Sequence, residues 1–381
     1  MSPALRIGAT GFALIAVCYG FARFAFGLFL PGIDAELGLG PSLGGAISGG
    51  AFGGYCLSIV VSAALTERLG GRAVGVGAAL VAAIGMAGIA LAPSAGLLAA
   101  AVIVAGTSAG LASPPMAAAV AAAVRRERRD LVNTAINAGA GAGVALCGPA
   151  ALLFAGQWRL GFGAFAVVAL ALAAAAAAAL PGSVAGEGGR ARFRPPLTGA
   201  AARLVGAALL MGAASTAVWS FGGQLVAQRL GWEAAGTGLL WTCLGAGGLA
   251  GAWAGSLIGR FGLDRLHRTA LWAMAAGVIA VGWGTAAAAV LLGAAAFGAA
   301  YVTLTGVYLV WGARAAPERP ATGLTVGFLA IAVGQTAGAP VFGLAMETFG
   351  PQAAAAGFAA LALLAGLPRS RRAGLAAPAG S

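Results

Sequence analysis

The sequence predicts an all-α membrane protein with twelve transmembrane helices in two six-helix bundles, on three observations: an apolar composition, clustered charges and an internal repeat. Hydrophobic residues make up 60% of the 381 residues, charged residues only 8%, and the mean hydropathy is +0.94. Soluble globular domains are about 25% charged. A helix needs about 20 mostly apolar residues to span a bilayer, and the charge clusters divide the chain into segments of that length.

Each segment between charge clusters is assigned one helix. The twelve predicted helices lie near 7–30, 42–65, 73–92, 96–122, 131–154, 160–181, 204–228, 236–258, 269–287, 289–313, 321–346 and 351–368. The third and fourth helices, and the ninth and tenth, are separated by little more than Pro93 and an alanine-rich stretch. A count of eleven is therefore the alternative.

The arginines predict the orientation of the chain. All 22 basic residues are arginine, and with the N-terminus inside, 19 of them fall in cytoplasmic segments, against only Arg159 and Arg229 outside. Short cytoplasmic loops of membrane proteins are rich in Arg and Lys. This alternation favours twelve helices over eleven. It predicts a multi-pass protein of the bacterial plasma (inner) membrane with both termini in the cytoplasm.

The formal charge of +12 is explained by the same arginines. Basic loops beside a membrane lie against anionic lipid headgroups, so we expect membrane lipids as partners and no nucleic acid.

The second half of the sequence repeats the first in parallel. A shift of 192 residues places AALTERLGGR (63–72) on GSLIGRFGLD (255–264), and a shift of 191 aligns the fifth helix with the eleventh. The paired residues are Arg68 with Arg260, Gly70 with Gly262, Gly20 with Gly212, Gly143 with Gly334, and Pro149 with Pro340. Such parallel repeats are typical of transporters.

The repeat predicts where the chain divides. We assign residues 1–181 to an N-terminal bundle of six helices and residues 204–381 to a C-terminal bundle with a short cytoplasmic tail. Residues 182–203, rich in Pro, Gly and Arg, form a cytoplasmic linker.

The segment AALTERLGGR resembles the loop signature G-x-x-x-D-R-x-G-x-R of the major facilitator superfamily. Glu67 occupies the acidic place, and Arg68, Gly70 and Arg72 match. The fifth helix is similar to the Gly-Pro motif of the same superfamily, and the pattern from Gly20 to Pro31 resembles its YbfB/YjiJ-like branch. The fourth helix departs from the family pattern, because Val102 stands where an arginine is common.

The resemblance implies a transporter with a central cavity lined by the first, fourth, seventh and tenth helices. It also suggests roles for two groups of residues. The predicted gating residues are Glu67, Arg68, Gly70, Arg72, Arg260 and Gly262, and the charged ones can pair with Glu127, Asp130 or helix termini. The predicted hinge residues are Gly148, Pro149 and Pro340. The alternatives are charges that only set topology and glycines that only pack helices.

Arg23 is the one arginine inside a predicted span, about 10 Å from the outer end of its helix at ~1.5 Å per residue. An arginine at the centre of a membrane helix costs about 2.5–3.5 kcal/mol, so it should face the protein interior or a watery cavity. All ten acidic residues fall in loops or near helix ends. We therefore predict that the ligand brings the missing negative charge. The alternatives are that Arg23 caps backbone carbonyls, or reaches Asp34 or Glu36 through water.

Other polar and aromatic residues form stripes on the helices that the resemblance places at the cavity. The complete predicted substrate-binding set is Arg23, Tyr19, Phe26, Asn137, Thr216, Trp219, Ser220, Gln224, Tyr301, Thr305 and Tyr308. Polar stripes in membrane helices also serve as contacts between helices, and that alternative stays open for each stripe.

These observations predict a secondary active or facilitative transporter that acts by alternating access on a small organic anion and works as a monomer. The alternatives are a multidrug or metabolite efflux transporter, and outside transport a polytopic membrane enzyme or a receptor or scaffold. We predict no catalytic residues, no metal and no cofactor. The single histidine, His267, is placed in a cytoplasmic loop, which disfavours proton exchange through a buried titratable group.

Overall fold

A computed structural model describes residues 2–154, 156–182, 199–316 and 320–370, and all regular structure in those residues is helical. Fourteen α-helices occur there: α1 Pro3–Ile15, α2 Ala25–Leu37, α3 Gly40–Leu91, α4 Ala95–Ala123, α5 Arg129–Leu153, α6 Trp158–Ala179, α7 Gly199–Trp219, α8 Gly222–Leu230, α9 Ala234–Gly248, α10 Ala254–Phe261, α11 Leu263–Trp283, α12 Ala287–Ala315, α13 Pro320–Phe349 and α14 Pro351–Leu364. A π-helix, Ala16–Phe24, joins α1 to α2. A 3-10 segment, Leu249–Trp253, joins α9 to α10.

These helices group into twelve spans, as the sequence predicts. The first span is α1, the π-helix and α2, and the long helix α3 holds two spans because Gly70, at φ 83°, turns the chain back. The seventh span is α7 with α8, and the eighth is α9 with α10. Eight of the described helical segments are long and apolar enough to cross a membrane.

Several boundaries differ from the prediction. The first span continues through Pro31 to Leu37, whereas residue 30 was the expected end. Arg23 is therefore about 21 Å from the end of its span at ~1.5 Å per residue, twice the predicted depth. Helix α7 begins at Gly199, so the last five residues of the predicted linker are helical. Residues 183–198 of that linker lie outside the described residues.

The internal repeat is visible in the helix packing. A Cβ added to Gly143 would overlap the carbonyl oxygen of Ala16, where the fifth span crosses the first. A Cβ on Gly334 would overlap the carbonyl oxygen of Leu209 in the same way, where the eleventh span crosses the seventh. Small residues let membrane helices approach this closely. The two crossings involve the glycines that the repeat pairs.

The two halves of the chain meet near the end of the molecule that carries the connections after α2, α5, α8 and α13. We call it the distal end, and the opposite end, where α1 begins and α14 ends, the proximal end. Glycines line the contact: a Cβ on Gly45 would overlap Ala339, one on Gly148 would overlap Gly238, and one on Gly27 would overlap the Trp219 carbonyl. No larger side chain fits there without moving the halves apart.

Hydrogen bonds join the halves at the same end. The Gln224 side chain donates to Asp34 over 3.0 Å, and Ser42 donates both its backbone N–H and its hydroxyl to Glu347. Because Ser42 lies in the first turn of α3, Glu347 of the C-terminal half satisfies a free N–H of a helix in the N-terminal half. The distal end is thus closed by backbone packing and by hydrogen bonds.

Candidate functional site

Arg23 lies between the two halves. It belongs to the π-helix, a register that is rare, mostly appears as single-turn bulges inside α-helices and frequently marks functional sites. Its side chain is only 7% exposed. The guanidinium Nη2 donates to Gln335 Oε1 of α13 over 2.7 Å. A cation on the first span is therefore bound to a neutral amide on the eleventh.

Aromatic rings surround the guanidinium. Its central carbon is 4.0 Å from the centre of the Tyr55 ring, 5.0 Å from that of Phe24, 5.2 Å from that of Phe52 and 5.6 Å from that of Tyr19. Cations within about 6 Å of a ring face are stabilised by about 0.5–2 kcal/mol, most when water is excluded. These rings offset part of the cost of burying Arg23 without supplying negative charge.

Gln335 connects Arg23 to the C-terminal half. It is fully buried, and its Nε2 donates to Ser215 Oγ of α7 and to the Tyr301 hydroxyl of α12, each over 3.2 Å. Its oxygen accepts from Arg23, so both ends of the amide are used. Three spans of the C-terminal half thus hold the group that binds Arg23.

A second set of hydroxyls continues the network within the N-terminal half. The Tyr19 hydroxyl donates to the Tyr55 hydroxyl over 3.3 Å and lies 3.1 Å from Ser113 Oγ of α4. Tyr19, Ser113 and Tyr301 are partly exposed, whereas Tyr55 is buried. This edge of the polar cluster is therefore accessible from outside the packed interior.

A small cavity of about 10 Å³ lies beside Arg23. The predicted residues Phe26, Trp219 and Ser220 line it together with Arg23, and Phe52 of the aromatic group does so too. The structure thus brings four predicted site residues around one space.

Of the other predicted binding residues, Tyr19 and Tyr301 belong to the polar cluster around Arg23, and the rest lie elsewhere. The hydroxyls of Thr216 and Thr305 donate to carbonyls of their own helices, those of Ala213 and Val302. Asn137 is exposed on α5. Gln224 bonds to Asp34 at the distal end. The helical stripes in the sequence therefore extend over more than one environment.

The structure corrects the predictions made from the sequence for Tyr308 and His267. His267 was placed in a loop, but it lies on α11 and is completely buried. The Tyr308 hydroxyl donates to the Ala207 carbonyl over 3.2 Å and lies 3.0 Å from His267 Nε2. Tyr308 therefore faces the interior of the C-terminal half rather than Arg23, because both of its partners belong to neighbouring helices of that half.

In the predicted gating loop, Arg72 binds a helix terminus, one of the expected kinds of partner, rather than an acidic residue. The Arg72 Nε donates to the Leu180 carbonyl over 2.7 Å, at the end of the sixth span. Glu67, Arg68 and Arg260 are exposed. In the part of the chain that the structure describes, the one salt bridge joins Arg159 to Glu36 at 2.8 Å, and the Asp130 side chain lies outside that part.

The matched glycines of the two gating loops have the same backbone. Gly70 has φ 83° and Gly262 has φ 80°, in the region that favours glycine. The loop repeat therefore conserves a turn in both halves, whatever its role in gating.

The predicted hinge residues lie where the halves touch. Proline cannot donate to the carbonyl four residues before it, so Pro340 leaves the Thr336 carbonyl free within α13. A Cβ on Gly49 would lie 2.7 Å from that oxygen. Gly148, next to Pro149, packs against Gly238 across the halves. Their hinge role stays a prediction.

Sequence reasoning missed Gln335, Ser215, Tyr55, Phe52 and Ser113. Gln335 had a usable signal, since it is a polar amide within a largely apolar span and a buried amide needs partners.

Asp34 and Glu36, the two acidic residues considered as partners of Arg23, bind other groups in the structure. Asp34 accepts from Gly40 N–H and from Gln224, and Glu36 accepts from Trp158 and Arg159.

The repeated spans and the polar cluster between the halves define a class of protein, the solute transporters of membranes. Comparison with known proteins gives the family: the sequence matches the Major Facilitator Superfamily over residues 12–324, and the chain belongs to it. It is an integral multi-pass membrane protein. The narrower resemblance to one branch stays a prediction. No curated protein sequence matches the chain.

Solved structures show the same fold. A mutant of the nucleoside transporter NupG aligns with a TM-score of 0.81 at 12% identity, covering 96% of this chain and 98% of that one. A D-xylose-proton symporter aligns at 0.75 with 15% identity, covering 96% and 97%. An inward-facing, unoccupied bacterial homologue of the lysosomal transporter Spinster aligns at 0.72 with 14% identity, covering 97% and 93%. These TM-scores show the same fold, and identities this low leave the substrate open.

Proposed function

We propose that this transporter moves a small organic anion across the membrane by alternating access, with Arg23 as the residue that binds the anionic group. The observation that carries this proposal is a buried arginine, between the halves, whose hydrogen-bonding partner is a neutral glutamine. The neighbours of known structure include transporters of nucleosides and of D-xylose, so neutral solutes are the natural comparison.

The electrostatic argument starts from the missing countercharge. Gln335 satisfies one N–H of the guanidinium, but an amide cannot cancel a full charge. Carboxylates bind arginine with two parallel hydrogen bonds, a geometry that an amide oxygen does not reproduce. An anion that displaces Gln335 would therefore gain a stronger contact than the one it breaks.

The arrangement of the halves supports alternating access. The distal end is closed, while Tyr19 and Tyr301 next to Arg23 are partly exposed. An anion would reach Arg23 past these hydroxyls and exchange with Gln335. Breaking the Arg23–Gln335 bond removes one link between the halves, which couples binding to their relative motion.

We place the protein in the bacterial inner membrane as a monomer, with the proximal end in the cytoplasm. The support for the orientation is the arginine distribution, since the proximal connections contain most of the arginines and the distal ones few.

Transport by purified protein in proteoliposomes tests the proposal. Radiolabelled lactate and succinate represent small organic anions, uridine and D-xylose neutral solutes, and ethidium a cationic drug. We expect uptake of at least one of the anions, abolished in Arg23→Ala and strongly reduced in Arg23→Lys, because an ammonium lacks the planar fork. Arg229→Ala, which removes an exposed arginine at the distal end, is the matched control.

Two results would contradict the proposal. One is uptake of uridine, xylose or ethidium but of neither carboxylate; ethidium uptake would support the efflux alternative. The other is normal carboxylate uptake by both Arg23 variants.

A further inference from the structure

Three polar side-chain atoms around the small cavity have no hydrogen-bond partner in the protein. They are Arg23 Nε, Trp219 Nε1 and Ser220 Oγ, and each is buried. All three residues line the cavity of about 10 Å³ between the first, second, fourth and seventh spans. Buried polar atoms in native proteins are almost always satisfied by protein, water or an ion. Three residues that carry such atoms meet at this one cavity, which points to a particle bound there.

The chemistry of these atoms selects the charge of that ligand. The guanidinium and the indole N–H can only donate hydrogen bonds, and a serine hydroxyl can donate as well. The cavity lining contains no carboxylate. The site therefore combines a fixed positive charge with a set of donors, and an acceptor with negative charge satisfies both.

The size of the cavity limits the ligand to a single small particle. A volume of about 10–15 Å³ on this measure corresponds to about one water-sized sphere. A succinate or lactate molecule does not fit, because the Phe26 and Phe52 side chains and the Ala51 and Val102 side chains close the space.

We propose that this cavity binds one small inorganic anion of halide size, chloride being the abundant example. The ion is held by Arg23, Trp219 and Ser220. It lies at Arg23 Nε and supplies the countercharge of the guanidinium while no organic anion is bound. The ion satisfies the buried donors in the closed distal arrangement, so its binding stabilises that state. The inference goes beyond the proposed function, since it concerns a second ligand and holds whether the solute is anionic or neutral.

Thermal stability of detergent-purified protein tests this inference without any organic substrate. Sodium bromide or sodium chloride is titrated against sodium isethionate at constant ionic strength. A ligand that binds only the folded state raises stability by RT ln(1 + [L]/Kd), so the melting temperature should rise in a saturable way. Ser220→Ala and Trp219→Phe each remove one donor, and we expect at least a tenfold weaker apparent affinity.

Trp241→Phe is the matched control. Trp241 is also buried in the C-terminal half and its Nε1 also lacks a partner, but it does not line the cavity. We expect its halide response to equal that of the wild type. Anomalous diffraction from crystals grown in bromide should show one peak between Arg23, Trp219 and Ser220.

Equal stability in halide and isethionate would overturn the proposal, because it would mean that a water molecule fills the cavity. Equal loss of the response in Trp219→Phe and Trp241→Phe would overturn it too. Failure of carboxylate uptake would contradict the proposed function and leave the halide titration unaffected, so the two failures are distinguishable.

Discussion

Replacing Gln335 by glutamate gives the most direct test of how Arg23 is used. The substitution changes the size of the side chain little and places a carboxylate where the amide oxygen lies 2.7 Å from Arg23 Nη2. The hydroxyls of Ser215 and Tyr301, which accept from the amide, can turn to donate to a carboxylate. The protein would then supply the negative charge that we assign to the transported solute.

The expected magnitude follows from the change in the Arg23 contact. A hydrogen bond with one charged partner contributes about 1.5–3 kcal/mol. Close charge pairs across interfaces have coupling energies of about 1.5–7 kcal/mol. The midpoints of these ranges differ by ~2 kcal/mol, and about 1.4 kcal/mol corresponds to tenfold in affinity. An organic anion should therefore bind about 30-fold more weakly to Gln335→Glu than to the wild type.

Uptake of radiolabelled lactate and succinate at rising concentration measures this effect through KM, and protein stability is followed in parallel. We expect a raised KM together with a melting temperature no lower than that of the wild type, because the new ion pair joins the halves. Gln228→Glu makes the same chemical change on an exposed position of α8 and should behave as wild type. An unchanged KM in Gln335→Glu would refute the reasoning, since an internal carboxylate would then not compete with the solute.

Two further predictions concern packing and hydrogen bonding elsewhere. Gly27→Ala should destabilise the closed distal end by about 1–3 kcal/mol, because the added Cβ would overlap the Trp219 carbonyl. Both uptake and the melting temperature should fall. Gly77→Ala is the control, because a Cβ there meets nothing within 4 Å, and it should lower neither quantity. Tyr308→Phe should lower the free energy of unfolding by about 1–3 kcal/mol and leave KM unchanged, because it removes the hydrogen bond to the Ala207 carbonyl and leaves His267 Nε2 without a partner. Tyr301→Phe, which removes a hydroxyl bound to Gln335, should change KM, and equal KM effects in both variants would contradict this assignment.

The span count and the repeat were predictable from the sequence, because a bilayer imposes a length on each apolar segment and arginine marks the loops. Span ends were less predictable. The first span runs to Leu37 because the helix continues beyond Pro31, whose ring removes one hydrogen bond without ending the helix. The π-helix was not predictable, since a change in backbone hydrogen-bond register leaves no mark on composition.

Only part of the candidate site could be predicted from the sequence. Arg23 was identified because a charge in an apolar span is costly wherever it lies. Its partner was not, because Gln335 is 312 residues away in the chain and the pairing depends on how the halves meet. His267 shows the opposite error: charged neighbours such as Arg265 and Arg268 suggested a loop, but on helix α11 both arginines are exposed while the histidine between them is buried.

The repeat relates the two groups of opposite halves that Gln335 binds. A shift of 192 residues takes Arg23 of the first span to Ser215 of the seventh, and Gln335 binds both: its oxygen accepts from Arg23 and its nitrogen donates to Ser215. Two positions equivalent in the duplicated scaffold thus approach one amide from opposite halves. The repeat builds the symmetric frame, and a guanidinium in one half opposite a small hydroxyl in the other makes the centre electrically asymmetric. A symmetric pair of serines would leave a neutral centre, so the preference for an anion should follow Arg23 alone and should not depend on Ser215. Ser215→Ala is accordingly expected to retain the ranking of carboxylates over uridine and xylose in uptake, and loss of that ranking would show that the two equivalent positions act together.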